Sequence, residues 1–358
     1  MKCSMLKYKW MYIAVFCCAM FAACEPATID TPSDDKNAIN FGGGRTHATT
    51  MTNANAKLWG YTTGTNGTNG YWVFAGTTTG SLTEGENAQY VEDANGDYLL
   101  PAITRYWADN QTYNFYSIWP IVGQTTVQNV RFNKSNSQLS FSYGSIEQQV
   151  DLCVAAAIGE DGGADRSTDV NFTYKHALAK VQFRGFSSTS IAAKLTELKI
   201  TVPSSATAVC TLETTTLADE KDANGNITTA HPLTIAYTLG TGTQELAETG
   251  TTYPLPANPD KSTSIEGTNV AEWLVFPQTS GLDEITISAT YILGDGSDAT
   301  KTKTVSTTLP IDKTTSWQAG KRYIYDFYIQ PSGPITFGTV TVKNWEEGGS
   351  ANIDFSKM

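Results

Sequence analysis

Side chains able to do chemistry near neutral pH are few in this chain. Its three histidines are His47, His176 and His231, and none has a second His or Cys at the spacing of a zinc ligand set. No HExxH, GxSxG, Walker A or CxxC sequence occurs. Asp93-x-Asn95-x-Asp97 offers oxygens to calcium, but an EF-hand loop needs glycine at position 6 and a bidentate Glu at position 12. Here Gly96 holds position 4 and Thr104 position 12. Asn95-Gly96 instead predicts a tight hairpin. Asp161, Asp165 and Asp169 are too widely spaced to make a case for an ion. His176 ends the strand-like run Phe172-Thr173-Tyr174-Lys175-His176, where a structural role is expected, and His231 precedes Pro232 in a loop. The expectation is therefore no catalytic residue, no metal and no cofactor.

Aromatic residues leave one binding reading open. Trp59, Trp72, Trp107 and Trp119 crowd the first half of the chain together with Tyr61, Tyr71, Tyr106, Tyr113 and Tyr116. Exposed rings of this kind hold sugars, and the same rings beside β-branched neighbours fill a sandwich core. Burial of the four tryptophans separates a glycan-binding surface from a packed interior.

The N-terminus points to export. Lys2, Lys7 and Lys9 precede an apolar run that ends in Phe21-Ala22-Ala23-Cys24. A basic start, an apolar stretch and small residues before a break form a secretory signal peptide, 1–23. The run is shorter than the roughly 20 apolar residues that span a bilayer. Cysteine directly after Ala-Ala makes Cys24 the expected lipidation site of a bacterial lipoprotein, which would tie a soluble fold to a membrane. Loss of the leader, with its three lysines and no acidic residue, takes the net charge from −11 to −14. That balance excludes nucleic acid as a partner, because phosphate backbones select basic surfaces. Beyond Cys24 only Cys153 and Cys210 remain, either paired in an oxidising compartment or with Cys153 a buried thiol in its apolar run.

The elements that must position any site read as strands. Leu198, Ile200 and Val202 alternate with Lys199 and Thr201, and Ile285, Ile287, Ala289 and Tyr291 with Thr286, Ser288 and Thr290. Tyr323, Tyr325, Phe327 and Ile329 do the same, as do Val340 and Val342. Period-two alternation predicts one face on a core and one in water. Asn-Gly pairs at 95–96 and 224–225 and the Gly294-Asp295-Gly296-Ser297 stretch mark turns. Many short strands and no helical stripe predict an all-β chain of antiparallel β-sandwiches, long enough for two domains. The division is expected at the polar loop before residue 169, giving 46–168 and 169–358 after a tether, 24–45. That tether carries one short candidate strand, Ala38-Ile39-Asn40-Phe41, and then Gly42-Gly43-Gly44-Arg45.

His176-Ala177-Leu178-Ala179-Lys180-Val181-x-Phe183 resembles the marker strand of the fimbrillin (Mfa-like, type V pilin) proteins of Gram-negative anaerobes. Other segments agree in order: Ile39-x-Phe41 followed by an arginine, Tyr113-Asn114-Phe115-Tyr116-Ser117-Ile118-Trp119-Pro120, Asp151-Leu152-Cys153-Val154-Ala155, Trp317-x-Ala319-Gly320-Lys321-x-Tyr323-x-Tyr325, and Val340-Thr341-Val342-x-x-Trp345. The resemblance implies two tandem transthyretin-like sandwiches on a lipid-anchored, outer-membrane, surface-exposed fimbrial subunit or adhesin without catalysis. It implies proteolytic processing between Arg45 and Thr46, removal of a strand containing Ile39 and Phe41, and strand addition by a neighbouring pilin subunit. The donor would come from the C-terminal pair of segments, with Val340, Val342, Trp345, Ile353 and Phe355. A host or bacterial surface ligand would be the further partner.

Overall fold

The computed structural model describes residues 38–44, 55–63, 70–79, 82–91, 97–121, 127–143, 149–162, 169–203, 207–214, 220–221, 227–229, 233–239, 242–278, 285–294, 301–309, 311, 316–338 and 340–345. The leader, Cys24, Arg45, Thr46, His47, His231, Ile353 and Phe355 lie outside them. Every named element among the described residues is a strand, so the chain is all-β as its period-two patterning requires.

The N-terminal half is built on a nine-stranded sheet. Its path runs Val170–Thr173, Phe41–Gly44, Asp97–Pro101, Glu86–Val91, Asn55–Thr62, Thr112–Trp119, Cys153–Asp161 and Lys175–His176, with Trp72–Phe74 paired beside Asn55–Thr62. The two ends of this path are separated in sequence by Tyr174 alone, so the sheet curls until its edges meet there. Its concave side is filled by Phe41, Leu58, Phe74, Tyr90, Phe115, Trp119, Phe172 and Tyr174. Trp59, Tyr116, Ile118, Leu152 and Val154 point the other way, into the core shared with the next sheet. Strands buried on both faces explain why residues 113–119 are aromatic or apolar at every position except Asn114 and Ser117.

Gly60 shows how tight that interior is. In the ladder it lies between Phe74 and Phe115, and a Cβ there would come within 2.7 Å of the Phe115 ring and 2.8 Å of the Phe74 ring. Gly60→Ala is expected to cost about 1–3 kcal/mol through overpacking, read as a lower denaturant midpoint at unchanged slope.

A six-stranded sheet follows the order Leu233–Leu239, Thr207–Thr214, Gln138–Tyr143, Val127–Asn133, Leu82–Thr83, Thr78–Thr79. It joins strands from both halves of the sequence through the Gln138–Tyr143 and Thr207–Thr214 pairing. The C-terminal half adds two sheets. One runs Thr243–Leu255, Ala193–Pro203, Thr286–Leu293, Thr302–Thr308; the other runs Thr268–Val275, Ala179–Ser187, Lys321–Ile329, with Thr336–Phe337 and Thr341–Asn344 sharing the far edge. A two-stranded ribbon pairs Glu220–Lys221 with Ile227–Thr229, flanking the second Asn-Gly turn. Glu86–Val91 likewise pairs with Asp97–Pro101 around the first.

The alternation at 198–202 and 285–291 places its apolar members in the core. At Lys321–Ile329 the pattern is overridden, since Ile324 and Tyr328 are buried along with Tyr323, Tyr325, Phe327 and Ile329. Tyr328 stacks on Phe186 at 4.8 Å, with the Lys261 ammonium over the ring. Among the described strands two pairings are parallel, Phe41–Gly44 with Val170–Thr173 and Ala179–Ser187 with Lys321–Ile329, where sequence alternation alone predicts antiparallel neighbours.

Candidate functional site

Residues 38–44 fill a slot one strand in from the end of the first sheet's path. Phe41–Gly44 pairs antiparallel with Asp97–Pro101 on one side and parallel with Val170–Thr173 on the other. The glycines expected to be tether are therefore sheet residues, Gly42 and Gly43 with ladder partners on both sides and Gly44 on the Val170–Thr173 side. A Cβ on Gly42 would come within 2.8 Å of Asn171 Oδ1, the end of an exposed side chain that can turn aside, and within 3.8 Å of Asp169 Cβ. Upstream, the Ile39 amide donates to the Arg105 carbonyl (2.8 Å), the Val170 amide donates to the Asn40 carbonyl (2.9 Å), and Ala38 bridges Tyr106.

The side chains anchor the segment as firmly as its backbone does. Ile39 and Phe41 are buried. The Phe41 ring stacks on Phe172 at 5.5 Å and meets Phe74 and Phe115 edge-on at 5.5 and 5.2 Å. The neighbouring 102–106 segment is held by Arg105, whose Nε donates to the Val73 carbonyl and whose guanidinium pairs with Glu86 at 3.3 Å. Glu86 also accepts from the Ile103 amide. Burial pushes its carboxyl above the usual range, and Arg105 opposes that shift. The segment thus occupies a place that a seven-residue extended strand fits, with alternate apolar side chains facing in. Without it, Asp97–Pro101 and Val170–Thr173 would face each other across an unpaired gap.

The C-terminal segment is placed differently. Thr341–Asn344 lies on the outer edge of Lys321–Ile329 and its four side chains are exposed. Val342 is 43% exposed, which corrects the expectation that it lines a core: its strand lies on the sheet's edge, and none of the described residues covers it. Val340 is half-buried against the C-terminal core. Trp345 donates its amide to the Gly320 carbonyl and lays its ring on His176, centroids 3.8 Å apart and planes 9° from parallel. The Lys180 ammonium sits 4.8 Å from the same ring.

The tryptophans proposed as glycan contacts do not form an exposed stripe. Trp59, Trp107 and Trp119 are 0%, 6% and 3% exposed, and Trp72 is half-buried against Tyr61 and Phe132 beneath Lys134. Trp59 and Trp119 face in because their strands are buried on both faces, and Trp107, outside any strand, packs edge-on against Tyr113 and Phe115. Among the described residues the exposed aromatics are Tyr71 and Tyr106, two rings that the sequence groups with the tryptophans.

One cluster escaped motif reading. Asp151, Cys153 and His176 are all buried and present ligand atoms within 4.8 Å of one another. His176 Nδ1 lies 2.8 Å from Asp151 Oδ1 and 3.8 Å from Cys153 Sγ. The pairing of Cys153 with His176 across two strands creates it, so a search for sequence-local metal motifs misses it. Cys153 is a free thiol, pushed well above its usual pKa by burial first and by Asp151 second. Iodoacetamide is accordingly expected to spare Cys153 in the native protein and to alkylate it in denaturant, as read by peptide mass spectrometry.

The chain matches a fimbrillin-like family over residues 45–345. It belongs to that family. No curated protein matches it in sequence. A fimbrial protein from Bacteroides vulgatus superposes with a TM-score of 0.52 at 14% identity, covering 86% of this chain and 99% of that one. A cell adhesion protein from Bacteroides uniformis covers 88% of this chain and 100% of its own at 15% identity, with a TM-score of 0.48. At such identities the first likeness speaks to the fimbrillin-like fold alone.

Proposed function

We propose that this fimbrillin-like protein is a cell-surface fimbrial subunit or adhesin, non-catalytic, that assembles by strand addition. The observation that carries this reading is the occupied slot: an N-terminal strand, followed directly in sequence by Arg45, is buried between two strands of a sheet. Cleavage between Arg45 and Thr46 would free the strand bearing Ile39 and Phe41, and a neighbour's C-terminal strand would take its place. Main-chain hydrogen bonds would supply affinity and alternate side chains the register. The C-terminus supports the exchange in sequence, since Ile353-Asp354-Phe355 repeats the Ile-polar-Phe order of Ile39-Asn40-Phe41. Val340, Val342 and Trp345 belong to the preceding segment of the donor. Cys24 is proposed as the lipid attachment that holds the precursor at the outer membrane. The two halves are proposed as tandem transthyretin-like sandwiches, with residues 170–176 hydrogen-bonding into the first and the six-stranded sheet linking them.

An arginine-specific protease applied to the purified precursor tests this reading. The parent is expected to lose its N-terminal segment and form fibres, whereas Arg45→Ala stays uncut and unassembled. Equal fibre formation by Arg45→Ala refutes cleavage-triggered exchange. Phe355→Asp is expected to be cut like the parent yet to assemble far more slowly, because a carboxylate replaces the ring that would fill the Phe41 position; light scattering reads the rate.

A further inference from the structure

We infer that Asp151, Cys153 and His176 form a binding site for a single thiophilic divalent cation, with zinc the best fit. The site follows from strand geometry. Residues two apart on an extended chain share a face, so Asp151 and Cys153 point the same way. Cys153 and His176 are direct cross-strand partners, which brings the imidazole onto that face as well. Register thus delivers a carboxylate, a thiol and an imidazole to one point without any sequence-local motif.

The distances suit zinc after a small adjustment. Bond lengths near 2.3 Å to sulfur and about 2.0–2.1 Å to nitrogen and oxygen put tetrahedral ligand atoms about 3.3–3.6 Å apart. The present separations are 2.8 Å for Nδ1 to Oδ1 and 3.8 Å for Nδ1 to Sγ, with all three ligand atoms within 4.8 Å of one another, so side-chain rotations that move these atoms by about 1 Å or less bring them to zinc-ligand spacing. All three side chains are interior, so ordering them costs little. On binding, the Cys153 thiol gives its proton to solvent, the imidazole carries its remaining proton on Nε2, and the metal bonds to Sγ, Nδ1 and a carboxylate oxygen. Mixed sulfur, nitrogen and oxygen donors favour zinc over magnesium or calcium, which take oxygen alone. Three protein ligands leave a fourth position for water. Trp345, stacked on the His176 ring, ties the site to the C-terminal strand.

Cobalt serves as the spectroscopic probe. Titration of the purified full-length chain with Co²⁺ is expected to give a thiolate-to-cobalt charge-transfer band that saturates at one equivalent and is displaced by Zn²⁺. Cys153→Ala should abolish the band and Cys210→Ala should retain it, and zinc should raise the melting temperature of the parent but not of Cys153→Ala or Asp151→Asn. A parent that shows no such band at saturating cobalt overturns the assignment, whether or not the variants fold. So does a band that survives Cys153→Ala, which means an adventitious ion only.

Discussion

Replacing Phe41 by alanine is expected to lower the unfolding free energy of the uncut protein by about 3–5 kcal/mol, the cost of removing a buried aromatic ring. The ring touches Phe74, Phe115 and Phe172 at once, and each lost aromatic contact adds to the cavity left behind. Those neighbours sit on three different strands, so they cannot collapse together into the vacancy. Denaturant titration reads the loss. The same substitution has a second, opposite consequence for assembly. Once the chain is cut after Arg45, residues 38–44 are held only by their own ladder and by Ile39 and Phe41. Phe41→Ala should therefore hasten release of the cut segment, seen as faster appearance of the peptide in the filtrate. Thr341→Ala, on an exposed edge, should change neither quantity.

The second large effect lies in the C-terminal half. Glu272 accepts an ion pair from Lys180 at 3.0 Å and another from Arg322 at 3.0 Å, all three little exposed. Arg322 also donates to Gln182 Oε1. Glu272→Ala leaves two buried cations without their carboxylate and is expected to cost about 3–5 kcal/mol. Lys180→Met and Arg322→Met together with Glu272→Leu should recover most of that loss, because apolar replacement of the whole triad removes the desolvation cost as well. Lys199, paired with Glu197 and Glu245 at the surface, offers the contrast: Lys199→Ala should leave the melting temperature unchanged.

Much of the fold was legible because it rests on period two. The Leu198, Ile200, Val202 and Ile285 to Tyr291 alternations put their apolar members inside, and both Asn-Gly turns lie between paired strands. Legibility failed where tertiary contacts override local pattern. Gly42, Gly43 and Gly44 read as slack because they carry no side chains, yet Gly42 and Gly43 have ladder partners on both sides and Gly44 on one. Val342 reads as core but ends on an uncovered edge. The tryptophans were ambiguous between core and platform, since ring size is the same in both and only the covering sheets decide. Asp151, Cys153 and His176 converge through register, a long-range property that spacing along the chain does not encode. For the slot, Ile39-x-Phe41 and Arg45 were visible, whereas its walls, Asp97–Pro101 and Val170–Thr173, could be found only by tracing which strands pair.

The central claim is that the strand before Arg45 must leave for subunits to join. Gly42 and Tyr98 are direct partners in the ladder, at the antiparallel Cα separation that a disulfide spans. Gly42→Cys with Tyr98→Cys would staple the strand into its slot without blocking Arg45. Fibre growth of the stapled chain is then followed after cleavage at Arg45, before and after reduction. The account predicts no fibres while the staple is oxidised and parental growth once it is reduced. Fibres that grow at the parental rate with the staple intact would contradict it.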